Sequence, residues 1–140
     1  MAGLRALNVV GLNVTIPHKV AVMSFLDKLD PLVERMGAVN TIVNDAGWLT
    51  GYNTDAPGFL QALRSKNIEP EGKNIVILGA GGASKGISFI LAGAGASLVI
   101  LNRTLSRAEE LAAQVSQAYQ RHVEAVALNE KNMALSLIHI

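Results

Sequence analysis

Asn74-Ile75-Val76-Ile77-Leu78-Gly79-Ala80-Gly81-Gly82-Ala83-Ser84 is the stretch that decides how this chain folds. Asn74 to Leu78 is a near-continuous apolar run, the pattern of a strand buried on both faces of a parallel sheet. Three glycines follow, and a helix pattern then runs to about Ala92. Glycine at a strand-to-helix junction lets the backbone turn tightly and approach a ligand, while the exposed N–H groups and the positive helix end attract phosphate. Gly79, Gly81 and Gly82 are therefore candidates to carry a pyrophosphate. The loop departs from the usual dinucleotide fingerprint, since Ser84 stands where its third glycine would be. A tight packing turn is the alternative reading, and the flanking strand and helix favour the dinucleotide.

Downstream, Ser97 to Leu101 reads as a second strand of the same kind and Asn102 to Leu105 as a loop. Ser106-Arg107-Ala108-Glu109 fits a capping box heading a helix toward Tyr119, and Val123 to Ala127 reads as a third strand. The order βαβαβ makes an α/β fold, one half of a doubly wound nucleotide-binding sheet. An acidic residue commonly ends the second strand, where it holds the ribose of NAD. Here the residues are Asn102, Arg103 and Thr104, with Arg107 four positions beyond Arg103. An acid would repel a ribose 2′-phosphate and Arg103 attracts one, so NADP is expected over NAD. Two solvated surface arginines are the plainer alternative.

Upstream, a seam falls near Glu69-Pro70-Glu71-Gly72. Before it, Leu12 to Thr15 reads as a strand, and Pro17 suits the first position of a helix running to about Leu26. A short helix runs from Pro31 toward Met36. Val39 to Val43 and Trp48 to Tyr52 read as strands joined by a turn at Asn44-Asp45-Ala46-Gly47, and a helix spans about Asp55 to Ser65. Lys19 lies in a first helical turn, the unfavourable end for a cation, and Asp55 begins a helix, where an acid is welcome as a cap. Asn13, Thr15, Asn40 and Asn53 lie on strands or at their ends, where a polar substrate could supply partners. His18 reads as a packing or surface residue, and Trp48 and Tyr52 as hairpin core.

The bulk numbers set bounds. The chain has 140 residues, half of them hydrophobic and 16% charged, which suits a folded chain rather than a disordered one. A net charge of +1 gives no ground to expect nucleic acid or a membrane surface as partner. The absence of cysteine excludes disulfides and thiolate metal sites, and three scattered histidines lack metal-ligand spacing, so no metal is expected. No signal peptide is visible. The longest uncharged run, starting at Gly86, is interrupted by Gly93 and Gly95 and falls short of the roughly 20 apolar residues of a spanning helix. A cytoplasmic protein is expected.

Five segments together resemble the shikimate dehydrogenase family, in family order. Asn13-Val14-Thr15-Ile16-Pro17-His18-Lys19 is similar to its lysine motif, Gly37-Ala38-Val39-Asn40-Thr41 to its asparagine motif, and Gly51-Tyr52-Asn53-Thr54-Asp55 to its aspartate motif. Gly79 to Ser84 and Asn102 to Arg107 are similar to its two NADP motifs. The resemblance implies part of an α/β substrate domain over 1–70, then the first βαβαβ half of a Rossmann-type NADP-binding domain over 71–134. It implies Lys19 and Asp55 as the catalytic pair, with Thr15, Asn40 and Asp55 holding the substrate. Gly79 through Ala83 would carry the pyrophosphate, and Asn102, Arg103, Thr104 and Arg107 would surround the adenosine ribose and its 2′-phosphate. The implied reaction is the reversible NADPH-dependent reduction of 3-dehydroshikimate to shikimate. A lysine ammonium can stabilise the developing alkoxide and donate its proton, with Asp55 orienting it.

The family's N-terminal serine pair, its later cofactor-domain strands and its C-terminal glutamine segment have no counterpart in this sequence. The chain is thus expected to be a central fragment, inactive alone. Leu135-Ser136-Leu137-Ile138-His139-Ile140 reads as foreign, of the kind a sequencing-library adapter encodes in frame, with genuine sequence ending near Ala134. A quinate/shikimate dehydrogenase and a non-catalytic NADP-binding module are the alternatives.

Overall fold

A computed structural model of the chain describes residues 1–130, 132 and 133. The expected foreign tail at 135–140 lies outside the described residues. Two compact units are formed, Met1–Pro57 and the residues from Gly58 on.

In the first unit, helix α1 (Ala2–Ala6) precedes strand β1 (Gly11–Asn13), a 3-10 turn (Ala21–Phe25), β2 (Lys28–Leu29), helix α2 (Pro31–Met36), β3 (Thr41–Asp45) and β4 (Trp48–Tyr52). The strands are ordered β1-β3-β4-β2. β3 pairs antiparallel with β1 and β4, and β2 lies parallel to β4. The hairpin closes through Ala46 and Gly47, both at positive φ, as a two-residue turn matching strand twist requires. The Asn44 side chain accepts from the Gly47 N–H at 2.8 Å and stiffens the turn.

Val14, Val22, Val33, Val39, Ile42 and Leu49 make the core on one face of this sheet. Gly51 brings that core close, because a Cβ there would stand 2.5 Å from Leu26 Cδ1 and 2.8 Å from Val39 Cγ2. Since side chains alternate along a strand, Leu49 and Gly51 inside place Trp48 and Tyr52 outside. Trp48 is 58% and Tyr52 37% exposed, so neither belongs to the hairpin core that the sequence suggested.

The expected helix from Pro17 does not form. Residues 16–20 make turns, with a cis Ile16–Pro17 bond, before the 3-10 turn begins. In an α-helix the Lys19 carbonyl would accept from the Met23 N–H. Here it accepts from Val39 N at 2.8 Å, and Met23 N donates to Val20 instead at 3.2 Å. A contact from a distant segment takes the acceptor the helix needs.

Helix α3 (Asp55–Arg64) leads out of the first unit. The second unit continues with β5 (Asn74–Leu78), α4 (Gly82–Gly93), β6 (Ser97–Asn102), α5 (Leu105–Tyr119) and β7 (Val123–Ala127). β5, β6 and β7 form a parallel sheet in that order, in the register Val76↔Val99 and Ile100↔Ala125. α4 buries Phe89, Leu91 and Ala92; α5 buries Ala108, Leu111, Ala112 and Val115, the spacing of one helical face. Phe89 meets Tyr119 edge-on, ring centroids 6.2 Å apart. This is the parallel sheet of a Rossmann-like domain.

The expected capping box is displaced. The cap of α5 is Thr104 rather than Ser106, and its side chain makes no cap hydrogen bond. Asn102 Nδ2 donates to the Thr104 carbonyl at 2.8 Å, and Arg107 N donates to the same oxygen at 3.1 Å, so the helix starts two residues early. Among the described residues no helix is long and apolar enough to cross a membrane, and no group of three acidic or histidine side chains is placed to hold a metal.

Candidate functional site

Three backbone links bring together segments far apart in sequence. Val14 N donates to the Asn40 carbonyl at 2.7 Å, Asn40 N to the Tyr52 carbonyl at 3.0 Å, and Val39 N to the Lys19 carbonyl at 2.8 Å. The first two extend the sheet past β3 and hold Asn40 at its edge; the third holds the Lys19 backbone beside that edge.

There Lys19 Nζ donates to Asp55 Oδ2 at 2.7 Å. The Lys19 side chain is 28% exposed and the Asp55 side chain 65%, so the pair is open to solvent. An exposed pair of this kind contributes little to stability, about 0–1 kcal/mol. The Asp55 carboxyl is held below the usual carboxylate range, chiefly by the Lys19 hydrogen bond. Partial burial opposes this, while the Asn40 amide and the Lys19 charge add to it.

Asp55 heads α3, yet capping is not what its carboxylate does. Asn53 supplies the cap, its side-chain oxygen accepting from Ala56 N at 3.3 Å. Asn53 is anchored in turn by donating to the Ala38 carbonyl at 3.1 Å. That leaves the Asp55 carboxylate for Lys19.

Asn40 is buried and held in place by its neighbours. Its Oδ1 accepts from Thr54 N and the Thr41 hydroxyl, both at 2.9 Å, and its Nδ2 donates to Thr54 Oγ1 at 3.0 Å. Thr54 immediately precedes Asp55, so this interlock sets where α3 begins. Thr41 and Thr54 are members of the site that the sequence reading passed over; adjacency to Asn40 and Asp55 was the available signal. Thr15 is exposed, and its hydroxyl makes no hydrogen bond among the described residues. His18 is also exposed, as a surface residue should be.

The second site lies wholly within the second unit. Gly79 sits at φ +102°, a conformation that L side chains rarely adopt, and its N–H donates to the Leu101 carbonyl at 2.7 Å. The Ser84 hydroxyl would lie 3.5 Å from a Cβ at Gly79, ordinary contact, so serine fits where a third glycine was missing. Gly81 caps α4 without a side-chain bond, so the first N–H groups of the helix have no side-chain acceptor. A Cβ at Gly81 or Gly82 would meet no protein atom within 4 Å. Internal packing therefore gives no reason for glycine at these two positions, whereas close approach of a phosphate does, and the residues present fit a dinucleotide.

A cleft of about 280 Å³ opens beside this rim. Ala80, Gly81 and Gly82 form one edge, with Lys85 one turn into α4. Arg107, Glu110, Leu111 and Gln114 of α5 form the opposite wall. Of the residues expected around the adenosine, Arg107 lines the cleft. Gly79, Ala83, Asn102, Arg103 and Thr104 adjoin its walls in sequence without lining it. Lys85 was missed, although its place four residues after Gly81 puts it over the same helix end.

Comparison with known proteins bears on both sites. Residues 1–42 match the family described as "Shikimate dehydrogenase substrate binding domain", and residues 62–140 match "Shikimate / quinate 5-dehydrogenase". The chain is 46% identical over 138 residues to a shikimate dehydrogenase (NADP(+)) of Carboxydothermus hydrogenoformans, covering 99% of this chain and 49% of the relative. It superposes on shikimate 5-dehydrogenase of Listeria monocytogenes, solved with shikimate and NAD, with a TM-score of 0.91 and 34% identity, over 99% of this chain and 50% of that one. It superposes on ligand-free 5-ketofructose reductase of Gluconobacter sp. strain CHM43 with a TM-score of 0.86 and 43% identity, over 91% of this chain and 46% of that one. The chain thus spans about half the length of the relatives it matches.

Proposed function

The chain belongs to the shikimate / quinate 5-dehydrogenase family, and we propose that the enzyme carrying it interconverts 3-dehydroshikimate and shikimate with NADP(H). The observation that supports this reading best is the Lys19–Asp55 contact of 2.7 Å beside Asn40. Residues 1–70 are the substrate part and 71–134 the cofactor part.

Bound NADPH supplies the hydride. Reduction of a ketone leaves negative charge on its oxygen, and the Lys19 ammonium stabilises that charge and gives the oxygen its proton. In the oxidative direction the lysine takes the proton back. Asp55, drawn to Lys19 and held ionised by it, aims the ammonium and accepts a substrate hydroxyl. Asn40 and Thr15 hold further hydroxyls. Gly79 to Ala83 carry the pyrophosphate, and Asn102, Arg103, Thr104 and Arg107 surround the adenosine ribose with its 2′-phosphate. The enzyme works in the cytoplasm, on a small polyol.

The test is shikimate-dependent NADP+ reduction by the full-length enzyme and its Lys19→Ala variant. General acid–base catalysis contributes about 10²–10⁴-fold, so kcat is expected to fall at least about a hundredfold. Retention of most of the turnover would remove Lys19 from the chemistry. The likeness to 5-ketofructose reductase supports a second reading, with the same chemistry on another polyol ketone. Assaying shikimate, quinate and 5-ketofructose side by side decides between them, by which gives the highest kcat/KM.

A further inference from the structure

We infer that Lys85 is a specificity-determining residue for the dinucleotide, contacting the ribose 2′-phosphate together with Arg107 across the cleft between α4 and α5. The inference deepens the NADP reading above and rests on it.

Lys85 and Arg107 come from different helices and line one cleft. Each sits in the first turn of its helix, where the macrodipole disfavours a cation, and neither first turn carries an acid. Glu110 lines the same cleft and could have neutralised them. Its Oε1 instead accepts from Gln114 Nε2 at 3.2 Å, and among the described residues neither Lys85 nor Arg107 forms an ion pair. Two unpaired cations facing one space, on helix ends that already carry positive potential, make a place for a dianion.

The glycine rim separates this place from the diphosphate. Bare N–H groups at Gly81 and Gly82 suit a diphosphate lying against backbone. Lys85 lies four residues past the cap, roughly 6 Å further along the helix axis, on the cleft side. A ribose phosphate extending from that rim into the cleft would be met from α4 by Lys85 and from α5 by Arg107. A diphosphate and a ribose 2′-phosphate offer the same dianion chemistry, so the experiment must separate them.

The test uses the full-length enzyme, wild type, Lys85→Met and Lys85→Arg, titrated calorimetrically with 2′,5′-ADP, 5′-AMP and ADP. Loss of one charge-assisted contact is expected to lower the affinity ratio of 2′,5′-ADP to 5′-AMP about tenfold in Lys85→Met. Lys85→Arg should keep most of that ratio, which guards against misfolding as the cause. If the wild type prefers 2′,5′-ADP and Lys85→Met keeps the full preference, Lys85 does not read the 2′-phosphate and the inference fails alone. If Lys85→Met weakens only ADP, the lysine serves the diphosphate and the inference is again overturned. If the wild type itself shows no preference for 2′,5′-ADP, the NADP reading fails and this inference falls with it.

Discussion

Around Lys19, the side chains of Asn40, Asn53 and Asp55 end on other protein groups. The ammonium meets Asp55, Asn40 meets Thr41 and Thr54, and Asn53 caps the helix that carries Asp55. Around Gly81 the reverse holds. The helix end has no side-chain cap, two glycines face open space, and two cations share a cleft without an ion pair. The first arrangement suits chemistry, because an acid that must deliver a proton in one direction gains from being oriented beforehand. The second suits binding, because donors and charges left unmatched favour the anion that matches them. Both occur in one chain, and they should respond to substitution in opposite ways.

The largest effect is expected where the matched network is cut. Asn40→Leu removes the acceptor of Thr54 N and of the Thr41 hydroxyl. Orphaning such donors costs about 1–3 kcal/mol each when they are buried, and these are partly so. The urea midpoint should fall, and kcat/KM of the full-length enzyme should fall with it, as Asp55 loses its anchor. An unchanged midpoint would mean that the interlock does not hold the site.

At the glycine rim, stability and binding should part. Gly82→Ala introduces a methyl that meets no protein atom, at a helical position where alanine is favoured by up to about 1 kcal/mol. The thermal midpoint is expected to rise slightly while NADP+ affinity drops, read by melting and titration of the same preparation. A parallel loss of both would show that glycine there serves the fold.

The smallest effect lies in acid. Asp27 takes a two-pronged contact from Arg5, at 2.8 and 3.0 Å, and accepts from Leu49 N at 2.6 Å. Its carboxyl is held below the ordinary range, first by the Arg5 hydrogen bond and then by the Leu49 N–H. Asp55 is lowered too. A carboxyl with a depressed native pKa contributes stability that is fully present above its ordinary value of 3.8 and is lost as pH falls through the native value. Urea midpoints should therefore be level above about pH 5 and decline below pH 4. Asp27→Asn should flatten part of that decline, and an identical acid profile would remove Asp27 as a source.

Most of the second unit was legible in the sequence. Asn74–Leu78 and Val123–Ala127 are strands as read, and α4 and β6 run one residue further than expected. Each of these elements is announced locally, by an apolar run, a glycine turn or a helical stripe. The first unit was less legible because distant contacts overrode local signals. Pro17 announced a helix, but Val39 claimed the carbonyl that helix needed. Two-residue β2 is too short to show a period, and strand alternation turned Trp48 and Tyr52 outward despite their apolar rings.

The sequence by itself determined the strand–glycine–helix order, a tight turn at the glycines that follow Leu78, and the presence of Lys19, Asn40 and Asp55 at family spacing. Those follow from chain-local physics: side-chain periodicity, glycine's freedom at positive φ, and the identity of each ionisable group. Only the tertiary structure decided that Lys19 meets Asp55 across 36 positions, that Asn53 relieves Asp55 of capping, and that Lys85 shares a cleft with Arg107. These pairings depend on how remote segments pack, and packing sets side-chain distances that spacing along the chain does not contain.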